Sequence, residues 1–398
     1  MSIVSARKDI FSKRTNWNKE QNSVINLLEE LKSAKIKITD LTKSNPTECS
    51  LIFPKDELLR ALENADNLIY KPDPKGHFSA REIIARYYQD QGVKFSAEQI
   101  VLTSSTSEGY SYLFRLLADV DDEILFPSPS YPLFPFLAEL NDTKLVYYNL
   151  YHENHWAIDM EHLLSVLSEK TKAIVLVNPN NPTGSFVSDE DLNRINNICA
   201  EHNLSLICDE VFLDYAIDDS NQKESLVKNK KVLTFVLNGL SKMLGLPQMK
   251  LSWIAVTGPD QVVGEALKRL EIISDTYLSV NAPAQNALKE WFVCKDNIQL
   301  NILNRIKQNS SLLQSEMGKL PGCALPHTQG GWYAVIKIDK ARNEEDFVLR
   351  LLKEDHVYIH PGYFYDFKED GYFVVSLLPE SLEFKKGIKK LGVQISQL

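Results

Sequence analysis

Lys242 is the residue whose surroundings point most directly to chemistry. It follows Ser241 between two apolar runs, Val232 to Leu237 and Leu251 to Val256. A lysine held between buried strands is partly desolvated, which lowers its pKa and frees the amine to attack a carbonyl. A bare Ser-Lys pair also suits a surface loop, but here Gly245, Leu246 and Pro247 follow and a second cation, Lys250, stands eight positions on. Asp209 closes the apolar run that begins at Leu204. An acid at the end of a buried strand is costly unless it is paired, and the other reading of Asp209 is a helix cap. Asn178-Pro-Asn-Asn-Pro-Thr-Gly184 combines two stiff Asn-Pro steps with a glycine that permits a tight turn. Such a loop either holds an amide side chain still or is only a turn. A fourth segment, Gln99 to Thr103, reads as a strand that empties into Ser104-Ser-Thr-Ser-Glu108 and then a helix. Free N–H groups and the helix dipole at that point favour a phosphate at Ser105, Thr106 and Ser107, although serines there also make simple capping turns.

Asn-Pro-Asn-Asn-Pro-Thr-Gly, Asp-Glu and Ser-Lys-x-x-Gly-Leu-Pro occur in that order. Together they resemble the class I/II aminotransferases of the fold-type I pyridoxal-phosphate enzymes, over about Asp40 to Leu398. The resemblance implies pyridoxal 5'-phosphate as cofactor, with Lys242 as its Schiff-base lysine and proton shuttle and Asp209 as the partner of the pyridine nitrogen. It implies Asn181 on the phenolic oxygen, Tyr131 stacked on the ring, and Ser241 and Lys250 joining the three hydroxyl residues around the phosphate. It places Ser44 and Asn45 beside the substrate and makes Tyr70 a residue that crosses a homodimer interface to the neighbouring cofactor's phosphate. The implied reaction is a ping-pong transfer of an amino group between an amino acid and a 2-oxo acid. A C–S β-lyase or a cyclising synthase uses the same apparatus, because the leaving group on Cβ decides the fate of the carbanion. An effector-binding regulator of this fold would need a fused DNA-binding domain, and no basic helix-turn-helix is present.

Four positions depart from the family pattern. Ser105 stands where glycine is usual, and Phe212 replaces a tyrosine that gives the phenolic oxygen a second hydrogen bond. Lys250 replaces an arginine, keeping the charge but losing the bidentate fork. Val374, two before Ser376, occupies the place of the arginine that grips the substrate α-carboxylate. The expected substitutes are Asn181, the backbone at Ser44 and Asn45, and a basic residue from elsewhere, such as Arg14 of the N-terminal arm.

Positioning these groups requires alternating strands and helices, which predicts an α/β fold: a large domain with a mostly parallel sheet flanked by helices, and a smaller α+β domain drawn from both chain ends. The boundaries expected are 1–45 for the arm and part of the small domain, 46–290 for the large cofactor-binding domain and 291–398 for the small C-terminal domain. Apolar spacing at Val24, Leu27, Leu28 and Leu31 predicts a helix over Asn18 to Ala34. Ile38 to Leu41 reads as a short strand, and Ser79 to Gln91 as a helix capped by Ser79 with Glu82 three residues on. Further strands are expected at Glu123 to Pro127, Lys144 to Leu150, Thr171 to Val177, Gly330 to Lys337, Val357 to His360 and Tyr372 to Leu378. Helices are expected at Asp159 to Ser168, Glu265 to Ile273 and around Phe347 to Leu352. Tyr131 follows a strand end where ligands collect in parallel sheets, so it faces a cleft or packs under a loop.

The 44 Lys and Arg against 53 Asp and Glu give a net charge of -9 without a basic block, which argues against a nucleic-acid or anionic-membrane surface. Five scattered cysteines without a Cys-x-x-Cys indicate neither a disulfide frame nor a metal site. No run approaches the ~18 apolar residues of a membrane span, and the first residues lack a long apolar core. These features lead us to expect a cytoplasmic protein.

Overall fold

The computed structural model describes residues 10–17, 22–153, 155–218, 224–278, 280–341 and 343–398. A two-residue strand β1 (Thr39–Asp40) precedes the main run: β2 (Ile100–Thr103), β3 (Glu123–Ser128), β4 (Lys144–His152), β5 (Trp156–Ile158), β6 (Thr171–Val177), β7 (Ser205–Asp209), β8 (Thr234–Gly239) and β9 (Ser252–Thr257). β2 to β9 form one sheet in the order β2-β9-β8-β7-β6-β3-β4-β5. The central pairs β4/β3, β3/β6, β6/β7 and β7/β8 are parallel, while β9 runs antiparallel between β8 and β2.

The strands read as continuous apolar runs because the sheet is covered on both sides. Along β6, Ala173, Val175 and Val177 join a cluster with Phe114, Phe134 and Leu270, while Ile174 and Leu176 face a larger one with Trp253 and Trp291. The helices Thr106–Leu117, Phe134–Leu140 and Asp260–Tyr277 supply the first cover.

After the helices Ala282–Val293 and Lys295–Met317, the chain forms β10 (Cys323–Ala324), β11 (Tyr333–Ile338), β12 (Val357–Tyr358), β13 (His360–Pro361) and β14 (Tyr372–Ser376). β10, β11, β14 and β13 make a four-stranded antiparallel sheet in that order. β12 leaves it to pair in parallel with β1, so the early chain is stitched to the C-terminal part.

Several sequence expectations shift. The first helix spans Ser23–Ser33 with Asn22 as its cap, and Asn18 to Gln21 lie outside the described residues. The helix expected to be capped by Ser79 runs Phe78–Asp90 from His77 and has no side-chain cap. The helix expected at Asp159 to Ser168 is shorter, Met160–Ser165, with Asp159 capping it, and Glu265 to Ile273 is the middle of the longer Asp260–Tyr277. Val357 to His360 is divided between two sheets because β12 and β13 have different partners. Among the described residues, no helix is long and apolar enough to cross a membrane, and no cluster of three or more His, Cys, Asp or Glu could hold a metal ion.

Candidate active site

The parallel strands end together, and the loops that leave them surround a cavity of about 280 Å³. Ser105, Thr106, Ser107, Tyr131, Asn181, Asp209, Ser241 and Lys242 all line it, together with Ser44, Tyr110, Phe212 and Tyr333. The sequence-predicted residues are contributed by five different strand ends: β2 leads to the serines, β3 to Tyr131, β6 to Asn181, β7 to Asp209 and β8 to Lys242.

Lys242 lies in the single helical turn Leu240–Met243. Its amine sits 5.1 Å from the centroid of Trp332 and 5.6 Å from that of Phe212. Burial brings its pKa down to about 8, against the pull of Asp209, which raises it. The turn is held from behind, where the Tyr215 hydroxyl donates to the carbonyls of Lys242 (2.7 Å) and Met243 (3.1 Å). Gly239 precedes the turn with extended backbone, and a Cβ there would stand 2.1 Å from Ser252 Oγ, so close approach of β8 to β9 requires glycine.

Asp209 is buried. Its Oδ1 accepts from Val211 N (3.2 Å) and its Oδ2 from the Tyr110 hydroxyl (3.1 Å). Burial pushes its pKa up to about 6; the Val211 amide, the Tyr110 hydroxyl and the Lys242 charge oppose that rise. The adjacent Glu210 serves the fold: it accepts from the Ser225 hydroxyl and from Leu226 N, each at 2.6 Å.

Ser105 caps the Thr106–Leu117 helix by accepting from Glu108 N, and the Glu108 carboxylate turns back to Ser104 N. The capping and phosphate readings therefore coexist, because the N–H groups of Thr106 and Ser107 are ones that helix geometry leaves without an internal partner. In the Asn178 to Gly184 loop, Gly184 has φ +70°, and a Cβ on it would meet the Gly330 carbonyl at 2.5 Å. Gly330 N donates to the Gly184 carbonyl at 2.9 Å, which pins the loop to the segment carrying Trp332 and Tyr333.

The remaining expected residues are placed elsewhere. Asn45 turns away from the cavity to accept from Thr47 N and the Thr47 hydroxyl, leaving only Ser44 of that pair in the lining. Arg14 forms a bidentate pair with Asp142 at 2.5 and 2.6 Å and is not part of the lining, which corrects its assignment to the substrate: a nearby carboxylate has captured it. Lys250, at φ 52° just before β9, is exposed and does not line the cavity in this chain. Tyr70 is 80% exposed and borders a separate surface cleft with Asp275 and Leu278.

Sequence reasoning missed Tyr110, Trp332 and Tyr333. Tyr110 stands four residues after Thr106 on the same helix face, a spacing that could have found it. Trp332 and Tyr333 follow Gly330-Gly331 at the start of a strand, where only the tertiary fold shows that they return to the site.

The donor set fits a phosphorylated pyridine cofactor. Asp209 is a buried carboxylate whose only cationic influence among the described residues is Lys242, so a protonated ring nitrogen would complete it. Asn181 Oδ1 is buried without a partner, and turning the amide over would present a donor to a phenolate instead. The hydroxyls and amides of Ser105, Thr106 and Ser107, with Ser241, are suited to a phosphate.

Residues 36–382 match the model of the family described as aminotransferase class I and II. The chain is 28% identical over 363 residues to the glutamate-pyruvate aminotransferase AlaA of Haemophilus influenzae, covering 89% of this chain and 90% of that protein. It is 27% identical over 328 residues to an alanine aminotransferase of Mycobacterium tuberculosis, covering 80% and 76%. Among solved structures, an alanine aminotransferase from Pyrococcus furiosus superposes with a TM-score of 0.89 at 25% identity, covering 98% of this chain and 100% of that one. The chain therefore belongs to the class I and II aminotransferases, pyridoxal 5'-phosphate enzymes of fold type I.

Proposed function

We propose that this aminotransferase takes its amino group from a small neutral amino acid, with alanine as the reference donor and a 2-oxo acid as acceptor, and that it works as a cytoplasmic homodimer. The observation that carries the reading is the lining of the cavity: among the described residues its only cation is Lys242, so no second positive group awaits a side-chain carboxylate. Two of the relatives are named for alanine, whereas AlaA is named for glutamate and pyruvate, so the names support alanine as the reference donor and make glutamate the comparison that the test must include.

When bound, the cofactor supplies an aldehyde that captures the amine and a cationic ring that draws electrons from the substrate Cα. Asp209 keeps the ring nitrogen protonated, and Tyr110 and Val211 keep Asp209 in place. Lys242, whose pKa burial brings down to about 8, would take the proton from the substrate Cα and deliver it to the cofactor carbon that bore the aldehyde oxygen. Tyr215 fixes the backbone from which it swings. Phe212 and Trp332 exclude water around its amine. Ser105, Thr106, Ser107 and Ser241 would hold the phosphate, and Lys250, the cation that the sequence suggested for it, stays outside the lining.

The dimer reading is supported by an apolar strip in which Leu68, Ile69, Tyr70 and Leu278 are all exposed. With a second copy covering this strip, Tyr70 is the residue that the family resemblance takes to the neighbouring cofactor's phosphate.

The test is amino-group exchange by the holoenzyme with alanine, glutamate and aspartate against pyruvate and 2-oxoglutarate, with sedimentation at micromolar concentration alongside. Alanine should exceed aspartate in kcat/KM. A preference for aspartate overturns the neutral-donor reading, and a fully active monomer overturns the dimer. Ammonia release from a β-substituted donor without amino-group exchange would indicate a lyase.

A further inference from the structure

The position left without arginine lies in the middle of the small antiparallel sheet. Val374 of β14 stands opposite Val335 of β11 on one side and His360 of β13 on the other, and Ser376 stands opposite Tyr333. Directly opposed residues share a sheet face, as do residues two apart along a strand. Tyr333, Val335, Val374, Ser376 and His360 therefore make one face. That face borders the active site, because Tyr333 lines the cavity and its hydroxyl interacts with the Ser44 side chain, which lines it too.

The polar groups on this face are themselves uncharged, with the Asp40 carboxylate near enough to act on His360. His360 Nδ1 lies 3.0 Å from the Tyr365 hydroxyl, and the Tyr365 ring lies 6.5 Å from that of Tyr333. The Tyr365 carbonyl accepts from Ser130 N, which ties the group to the segment bearing Tyr131. Burial drives the His360 pKa down to about 4, against a weaker upward pull from Asp40, so its imidazole is neutral at ordinary pH. The Arg305 guanidinium is engaged elsewhere, with Nη1 donating to the carbonyls of Cys49 and Leu378.

We propose that the carboxyl end of the substrate is received by uncharged donors, the Tyr333 hydroxyl together with Ser44, on a face completed by the His360–Tyr365 pair, and that the enzyme therefore accepts amino-acid amides as well as free amino acids. A hydroxyl donates to a carboxylate oxygen and to an amide oxygen alike. A guanidinium fork matches the planar anion and rejects the amide. This inference rests on the aminotransferase reading and narrows its substrate class to donors whose carboxyl group need not be ionised.

The experiment titrates the visible absorption of the bound cofactor in the holoenzyme with L-alanine and with L-alaninamide, both expressed as free-base amine, while exchange with a 2-oxo acid is followed in the same samples. Half-saturation for the two should agree within about tenfold. Tyr333→Phe should weaken alanine by about tenfold and the amide by about three- to tenfold, the loss of one hydrogen bond. Its cofactor spectrum without amine should match the parent's, which shows that the fold and cofactor site persist. A preference for alanine above about a hundredfold overturns the proposal, and so does a Tyr333→Phe titration unchanged for both amines. Loss of alanine response in Lys43→Ala, the exposed cation beside Ser44, overturns it in favour of a charged contact. Exchange with alanine and exclusion of the amide sinks this inference alone, whereas no exchange with any amine sinks the aminotransferase reading with it.

Discussion

Asp209→Asn is expected to stabilise the cofactor-free protein while ending its chemistry. Burial lifts the Asp209 carboxyl from 3.8 to about 6. That is about two pKa units at about 1.4 kcal/mol each, so ionising this group costs about 3 kcal/mol more in the folded chain than in the unfolded one. Below pH 3.8 both states hold the proton and the group contributes nothing. Between 3.8 and about 6 the folded state binds more protons than the unfolded state, so stability falls as pH rises. Above about 6 the whole penalty is in place. Asparagine cannot ionise and escapes it. The Val211 amide still finds an oxygen, and the Tyr110 hydroxyl can reverse its role and accept from the new amide.

For a chain of 398 residues, about 3 kcal/mol corresponds to about 3–4 °C in Tm. Thermal unfolding of the cofactor-free parent and variant, followed by circular dichroism at pH 4 and pH 7.5, should give coincident midpoints at pH 4 and a higher one for Asp209→Asn at pH 7.5. Adding cofactor should raise the parent's midpoint more than the variant's, because the ring nitrogen repairs the parent's unpaired charge. Equal midpoints at both pH values, or a parent more stable at pH 7.5, would refute the claim that Asp209 is a desolvated carboxylate awaiting a cation.

Lys242→Ala should abolish amino-group exchange and leave the circular dichroism unchanged; substantial residual turnover would show that another base moves the proton. Tyr110→Phe removes a hydrogen bond that favours ionised Asp209, so the acidic limb of kcat/KM should move to higher pH with about a tenfold loss in kcat; an unmoved limb means that the hydroxyl does not couple to Asp209. Gly239→Ala forces a methyl to within 2.1 Å of Ser252 Oγ, which should cost about 1–3 kcal/mol of stability and weaken cofactor binding. Ser252→Gly in the same chain should restore both, and a fully stable Gly239→Ala single variant would contradict the tight β8–β9 contact.

What could be read from the sequence was decided by locality. Lys242, Asp209, Asn181 and the serines at 105–107 each sit at the end of an apolar strand, and a parallel sheet gathers such ends at one edge whatever its detailed strand order. The sheet's apolar runs were equally legible, because a strand covered on both faces has little room for polar residues. Tyr215 escaped because a hydroxyl that reaches across the fold leaves no pattern around itself, whereas Tyr110 was within reach of a helix-spacing argument from Thr106. Arg14 was misplaced for a related reason: nothing near it in sequence reveals that Asp142, 128 positions on, is within 2.5 Å.

Val374 shows the limit most sharply. A missing arginine is visible at one position, but what stands in for it is distributed over β11, β13, β14 and the turn that follows Pro361. His360 and Val374 are neighbours only because β13 and β14 pair in this register, and Tyr333 shares their face only because β11 pairs on the other side of β14. A slip of one residue in either ladder would turn one of these groups to the opposite face. The substrate end of the site is thus specified by the register of a four-stranded sheet, whereas the cofactor end is specified by strand termini.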